Sequence, residues 1–391
     1  MVDLVLLLMG FSRAGVRNEL DRFMKNLSQH SSAIRTYSKS AFTQYRQKLN
    51  PAALMFLMRK HLEYFDTHAQ HKKLWNGYRI VAIDGSSLNM PNEPGLTDHF
   101  GKSKNQSGSY STTGRISVAY DVMNKLMLDA QISHMKTGEH ALAVAHLPYL
   151  SPEKDVLVFD RGYPGLNFAR MLHEQGFKFC FRLSTAWKEA YKLLDHTDDL
   201  QWSLKKGKLY KEHRIQYSLK EDIEGFRLVK LRLANGQYVV LLTNLTDKEA
   251  FPLELLNELY RLRWTIEECY KRIKLVAQLE YFSGKTPIAI EQDFYSRIIM
   301  LNISAMIETQ ELEPQLDQVK TTVHRKQTNR TQVMLKLKEF AFELLWSINP
   351  EVALRKMLLL LYQCYEIVRP DRHFTRNRGF RFKRKMLKYK A

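Results

Sequence analysis

Cysteine is scarce in this chain: Cys180, Cys269 and Cys364 are the only three in 391 residues. They are odd in number and far apart. That excludes a disulfide framework and the paired spacings of a zinc site, and it makes a reducing cytoplasm the expected setting. Long apolar runs are missing too. Residues 1–10 are Leu-rich but too few to span a bilayer, and they have neither a basic leader nor a small-residue cleavage site. They read as a buried helix, and no membrane association is expected. Acid is in deficit, with 41 Asp and Glu against 60 Lys and Arg, a net charge of +19. Such an excess favours a polyanionic partner, because each phosphate that a cation neutralises releases a counterion. Internal repeats are lacking. His68 and His71 form a close pair with nothing beside them to complete a metal site, so they read as surface residues.

What is present is ample core material, 45% apolar residues, enough for two or three domains. Residues 1–75 show helical spacing over 17–24 and 52–65, separated by a Ser-rich stretch at 28–32. Residues 38–49 resemble a short basic helix capped by Ser38, with polar side chains suited to DNA. Residues 79–84 form a buried-strand pattern ending in Asp84, and residues 101–114 a Gly/Ser/Asn-rich loop expected to be mobile. Strands are expected at 115–122 and 126–134, joined by a hairpin at 123–125. A helix over 139–147, a strand over 155–160 ending in Asp160, a helix to 174 and a strand over 178–183 follow. This order matches a ribonuclease-H-like core, in which the first and fourth strands lie side by side and release their acids at one sheet end. Short strands at 200–204, 214–219, 226–233 and 238–243 come next, the last two joined by an Asn235–Gly236 turn. The rest is helical from 288 to 364, then ends in a basic, aromatic-interleaved tail over 369–390.

The expected fold is therefore α/β, a ribonuclease-H-like mixed sheet with a β-rich insertion, flanked by N- and C-terminal helical regions. The corresponding units are a helical DNA-binding region (1–75), the first part of the catalytic core (76–184), the β-rich insertion (185–245), the remainder of the core (246–290) and a helical C-terminal region with the basic tail (291–391).

Tyr260, Arg263, Glu267 and Lys274 are spaced near the helical period, so they are expected on one face of one helix. A face with a phenol, two cations and a carboxylate suits a divalent metal beside a phosphodiester. Asp84 and Asp160 supply two further acids, and three carboxylates are the donor set for two-metal phosphoryl transfer. Hard Mg²⁺ prefers carboxylate oxygen, and a pair of ions roughly 3.5–4 Å apart activates one oxygen and stabilises the other. Read singly, an Asp before Gly is often a turn former, and Arg263 with Glu267 could be a helical i,i+4 pair worth only ~0.3–0.5 kcal/mol. Their joint occurrence in this topological order favours the metal site.

The blocks Ile83-Asp84-Gly85-Ser86 and Phe159-Asp160-Arg161-Gly162-Tyr163, with Tyr260-x2-Arg263-x3-Glu267-x6-Lys274, resemble those of the insertion-sequence-four group of bacterial DDE transposases. Separations of 76 residues (84 to 160) and 107 residues (160 to 267) fit members with a β insertion before the Glu. Residues 38–49 and Asn329-Arg330-Thr331 resemble family segments as well. The resemblance implies that Asp84, Asp160 and Glu267 bind Mg²⁺ (with Mn²⁺ as a substitute) and catalyse. It implies that Tyr260, Arg263 and Lys274 contact phosphates at the element's end. Arg161 and Lys271 are further phosphate-contact candidates. Tyr260 and Trp264 are candidates to stack on an unstacked base, core packing of its helix being slightly favoured for Trp264, and Trp187 and Trp202 are lesser stacking candidates. The implied activity is cut-and-paste transposition by a homodimer bridging two double-stranded DNA ends and a target, in the bacterial cytoplasm. A structure-selective nuclease and an inactive DNA-binding remnant are the alternatives. Because the chain opens almost directly in its Leu-rich helix, a shortened N-terminal DNA-binding region is expected.

Overall fold

The structure is a computed structural model that describes residues 2–10, 15–30, 38–104, 108–207, 209–212, 215–218, 221–233, 236–318 and 326–368. Four helices open it: α1 (Val2–Gly10), α2 (Val16–His30), α3 (Lys39–Arg46) and α4 (Pro51–His68). The Ser38 hydroxyl accepts from Ala41 N at 3.0 Å and starts α3, and Asn50 with Pro51 starts α4. Next come β1 (Arg79–Asn89), α5 (Pro94–Phe100), β2 (Lys102–Lys104), β3 (Tyr110–Asp121), β4 (Leu126–His134), α6 (Glu139–His146), β5 (Asp155–Phe159), α7 (Leu166–Glu174) and β6 (Lys178–Arg182). After them lie α8 (Lys188–Leu193), β7 (Asp199–Leu204), β8 (Leu209–Glu212), β9 (Ile215–Ser218), β10 (Ile223–Arg232), β11 (Tyr238–Thr243), α9 (Leu253–Leu262) and α10 (Thr265–Lys271). The chain continues through α11 (Pro287–Ile307), α12 (Glu313–Gln318), α13 (Arg330–Trp346) and α14 (Pro350–Tyr362).

The sheet is mixed. β1 runs antiparallel to β3 and parallel to β5, β3 runs antiparallel to β4, and β5 runs parallel to β6. The two parallel joins need crossovers, which α6 and α7 supply. β5 is buried along its whole length, as a central parallel strand must be. The strands between residues 199 and 243 do not make a sheet of their own: β11, β10 and β7 extend the same sheet beyond β6, while β8 and β9 pair only with each other. β11 can add to β6 because an antiparallel edge strand completes the ladder left open by the last parallel one. The stretch expected as a loop over 101–114 is instead largely strand, with β2 paired to the start of β3.

α11 is the axis of the helical layer. Fifteen of its 21 residues are buried, and it packs against β4, α1, α4 and α13. The N- and C-terminal helical regions thus meet on one helix. α1 buries Leu4, Leu7 and Leu8, as its apolar composition demands. Among the described residues no helix is long and apolar enough to cross a membrane. Arg46, on the basic helix α3, does not face solvent. It is 2% exposed and donates to Gln292 Oε1, Ser283 Oγ, Ala289 O and Asp293 Oδ1, which locks α3 to α11. The Ser-rich stretch at 28–32 and the strand over 214–219 lie partly outside the described residues, as does Asn235 of the expected turn. The basic tail over 369–390 lies wholly outside them.

Candidate active site

The parallel register pairs Ile83 with Phe159, so Asp84 and Asp160, one residue further on, stand beside each other at the carboxyl end of that pairing. β5 stops there, whereas β1 continues to Asn89 against β3. Asp84 is therefore a mid-strand residue, not a strand-end one. Its carboxylate accepts from Gly85 N at 2.8 Å. Burial pushes its pKa up to about 6; the charges of Asp160 and Glu139 add to the rise, while the Gly85 N–H and Arg263 oppose it.

The segment bearing the third acid is not one regular helix. Between α9 and α10 the backbone tightens: Arg263, Trp264, Ile266 and Glu267 each donate to the carbonyl three residues back, at 3.1–3.2 Å. The Thr265 hydroxyl also takes the Leu262 carbonyl, at 2.8 Å. After α10 the chain loosens into a π turn over Arg272–Val276. The single helix expected over Tyr260–Lys274 is thus corrected to two helices and a π turn, separated by the tight turn at Arg263–Trp264. Tyr260 is 1% and Arg263 4% exposed. Tyr260 Oη accepts from Arg182 at 3.2 Å. Arg263 lies 3.9 Å from Asp160 Oδ2 and 4.0 Å from Glu267 Oε1, a guanidinium set between two carboxylates. Lys274, on the π turn, donates to Ser86 Oγ (2.9 Å) and Ser87 O (2.7 Å), just beyond Asp84. Burial lowers its pKa, against the pull of Glu280.

Trp264 is 53% exposed and its ring lies over Arg263, 4.9 Å from Cζ to the centroid. Core packing of Trp264 is thereby corrected: the tight turn throws the ring outward as it turns Arg263 in. Arg161 and Lys271 are exposed, Lys271 ion-paired to Glu268. Trp187 and Trp202 lie half-buried against the core.

Several residues that hold this site escaped the sequence reading. The Asp84 carbonyl accepts from Tyr270 Oη and from Ser117 Oγ. Ser117 in turn bonds His146 Nε2 at 2.9 Å, and His146 Nδ1 bonds Asp129 Oδ2 at 2.7 Å. All three are at most 1% exposed, so this Ser–His–Asp chain braces β1 and offers no nucleophile to solvent. Glu139, the first residue of α6, bonds Arg115 at 2.6 Å and contributes charge at Asp84. Its only sequence signal was an acid opening the helix after β4.

Two of the acid-region oxygens lack hydrogen-bond partners although buried, Asp160 Oδ1 and Tyr163 Oη. A bare carboxylate oxygen beside a second, half-buried carboxylate is a fit for a hard cation, which takes few protein ligands and keeps its waters. Among the described residues no three His, Cys, Asp or Glu side chains converge closely enough to close around one ion. Asp84 and Asp160 are together; Glu267 reaches them only through Arg263.

The strand order β4-β3-β1-β5-β6, with its directions and with acids at the carboxyl end of the parallel pair, is that of the ribonuclease-H-like class. Comparison with known proteins narrows this. Residues 75–303 match the family described as the transposase DDE domain. The transposase InsG for insertion sequence element IS4 of Escherichia coli (strain K12) is 24% identical over 274 residues, 68% of this chain and 60% of that protein. The putative transposase InsZ of the same strain is 27% identical over 175 residues, 42% of this chain and 55% of that one. The chain thus matches less than two thirds of either relative's length. Among solved structures, a cryo-EM piggyBac transposase synaptic complex with hairpin DNA aligns with 92% of this chain and 76% of its own, at 11% identity and a TM-score of 0.45. The chain belongs to the DDE transposase family, in its insertion-sequence-four type.

Proposed function

We propose that this protein binds the terminal inverted repeats of an insertion sequence and performs divalent-metal-dependent strand cleavage and transfer, with Mg²⁺ the working ion and Mn²⁺ its substitute. The observation that carries the reading is the Ile83–Phe159 register, which sets Asp84 and Asp160 side by side where an open α/β sheet presents its ligands. In this reading Asp84 and Asp160 hold the metal and Glu267 joins them. Bound there, a divalent ion makes a water or a 3′ hydroxyl a better nucleophile and stabilises the departing oxygen.

The protein's own groups do the rest. Arg263, buried against two of the acids, neutralises charge as the phosphate approaches, and a guanidinium held in place is the better for it. Lys274 steadies the strand just past Asp84 and adds a second cation at the same edge. Trp264 exposes its ring beside Arg263, where an unstacked terminal base can lie on it. Arg161, exposed next to Asp160, is placed to meet a backbone phosphate. Water and then the freed 3′ hydroxyl act as successive nucleophiles, so no protein–DNA covalent bond is needed. Two copies bridge the paired ends.

The test is a strand-transfer reaction with DNA carrying the element's two terminal repeats, a target duplex and Mg²⁺. Joined product supports the proposal. Cleavage without joining points to a nuclease, and binding alone to an inactive remnant.

A further inference from the structure

Glu139 stands apart from the family blocks yet touches both of the aspartate blocks. A methyl group placed on Gly85, next to Asp84, would lie 3.5 Å from Glu139 Cγ. One placed on Gly162, two residues past Asp160, would lie 3.6 Å from Glu139 Oε2. The same side chain therefore borders the space beside both glycines, next to the junction of β1 and β5. Among the described residues its hydrogen-bonding cation is Arg115, from β3, and that pair is half open to solvent, with side chains 22% and 40% exposed. A pair so placed contributes only about 0–1 kcal/mol to the fold. An acid in the first turn of a helix is favourable by itself, but that accounts for neither glycine contact.

A second feature points into the same space. Tyr163 is 1% exposed, its hydroxyl has no hydrogen-bond partner, and it lies in the field of Asp84, Glu139, Asp160 and Arg115. A buried phenol left without a partner costs about 1–3 kcal/mol unless something else meets it. A water held between a cation and these acids would do so.

We infer that Glu139 is a fourth carboxylate of the site, holding the divalent ion through one water, with Arg115 as its counter-ion in the metal-free protein. This rests on the metal-site reading above.

Mn²⁺ binding to the full chain without DNA, followed by electron paramagnetic resonance and calorimetry, tests it. Glu139→Gln is expected to weaken Mn²⁺ by about tenfold or more, the loss of one charged ligand worth roughly 1.4 kcal/mol. Arg115→Gln is expected to leave the affinity unchanged or raise it, because it removes a competing cation. Asp84→Asn is expected to abolish binding. Unchanged affinity in Glu139→Gln, with binding lost in Asp84→Asn, overturns the inference and leaves the Asp84–Asp160 site standing. Equal losses in Glu139→Gln and Arg115→Gln also overturn it, since the pair then acts only as a structural unit. No Mn²⁺ binding by the unaltered protein, or full binding by Asp84→Asn, overturns the metal site and this inference together.

Discussion

Asp84 is held from more directions than any other acid of the site. Its carboxylate meets Gly85 N, its carbonyl meets Tyr270 and Ser117, and Lys274 fixes the two residues that follow. Rigid placement of a charge in a half-buried position has a stability consequence. The folded pKa, about 6, exceeds the ordinary aspartate value of 3.8, so the ionised form costs stability that the protonated form does not. The cost is absent below about pH 4, where Asp84 is protonated in folded and unfolded chains alike, and is complete above about pH 6. Asp84→Asn should therefore stabilise the metal-free protein by roughly 1–3 kcal/mol at pH 7 and have no effect near pH 3.5, as read from urea midpoints at the two pH values. Asp84 and Asp160 were legible in the sequence because each follows an apolar β run and precedes a turn-like block. Glu139 was not, because an acid opening a helix has a sufficient local reason to be there. Its contact with both glycines arises only when α6 crosses the sheet. The burial of Arg46 escaped for a similar reason: its partners Ser283, Gln292 and Asp293 lie some 240 residues away.

The elements were foreseen more closely than their connections. β1, β4, β5, α7 and β6 fall within a few residues of the expected spans, because apolar run length and turn residues mark strands locally. Two features were not read from the pattern. The strands over 199–243 alternate as a free-standing sheet would, and only the open edge of β6 decides that they extend the main one. The Tyr260–Lys274 segment was projected on a 3.6-residue period, and local hydrogen bonds break that period twice. The second break is secured from below. Arg272, opening the π turn, lies 3.5 Å from Glu308, which opens a second π turn over Glu308–Leu312 and also binds Lys125 and Arg330. Burial would raise the Glu308 pKa, but these cations outweigh it and hold it down at about 2. The Asn329-Arg330-Thr331 segment thereby connects to the turn that carries Lys274. Glu308→Gln leaves the buried Arg272 without its carboxylate partner and should cost about 3–5 kcal/mol. Thermal melting with and without Mn²⁺ checks it, the loss being the same in both.

At the scale of the molecule, the proposed DNA binding would draw its strength and its salt dependence from a net charge of +19. Affinity should fall linearly on a log–log plot against salt, and Arg161→Ala should flatten the slope by about 0.9 while leaving the melting temperature alone. Fluorescence anisotropy on a labelled duplex measures both protein forms; an unaltered slope would remove Arg161 from the interface. Charge alone describes any DNA-binding protein, whereas the proposed action on the bound strand rests on the juxtaposed Asp84 and Asp160. The most direct measurement is single-turnover cleavage of end-repeat DNA in Mg²⁺ by the unaltered protein and by Asp84→Asn and Asp160→Asn, with DNA affinity measured on the same samples. Cleavage lost by about a thousandfold or more in both variants, with affinity kept within about twofold, is the predicted result. Cleavage retained in either variant would contradict the account.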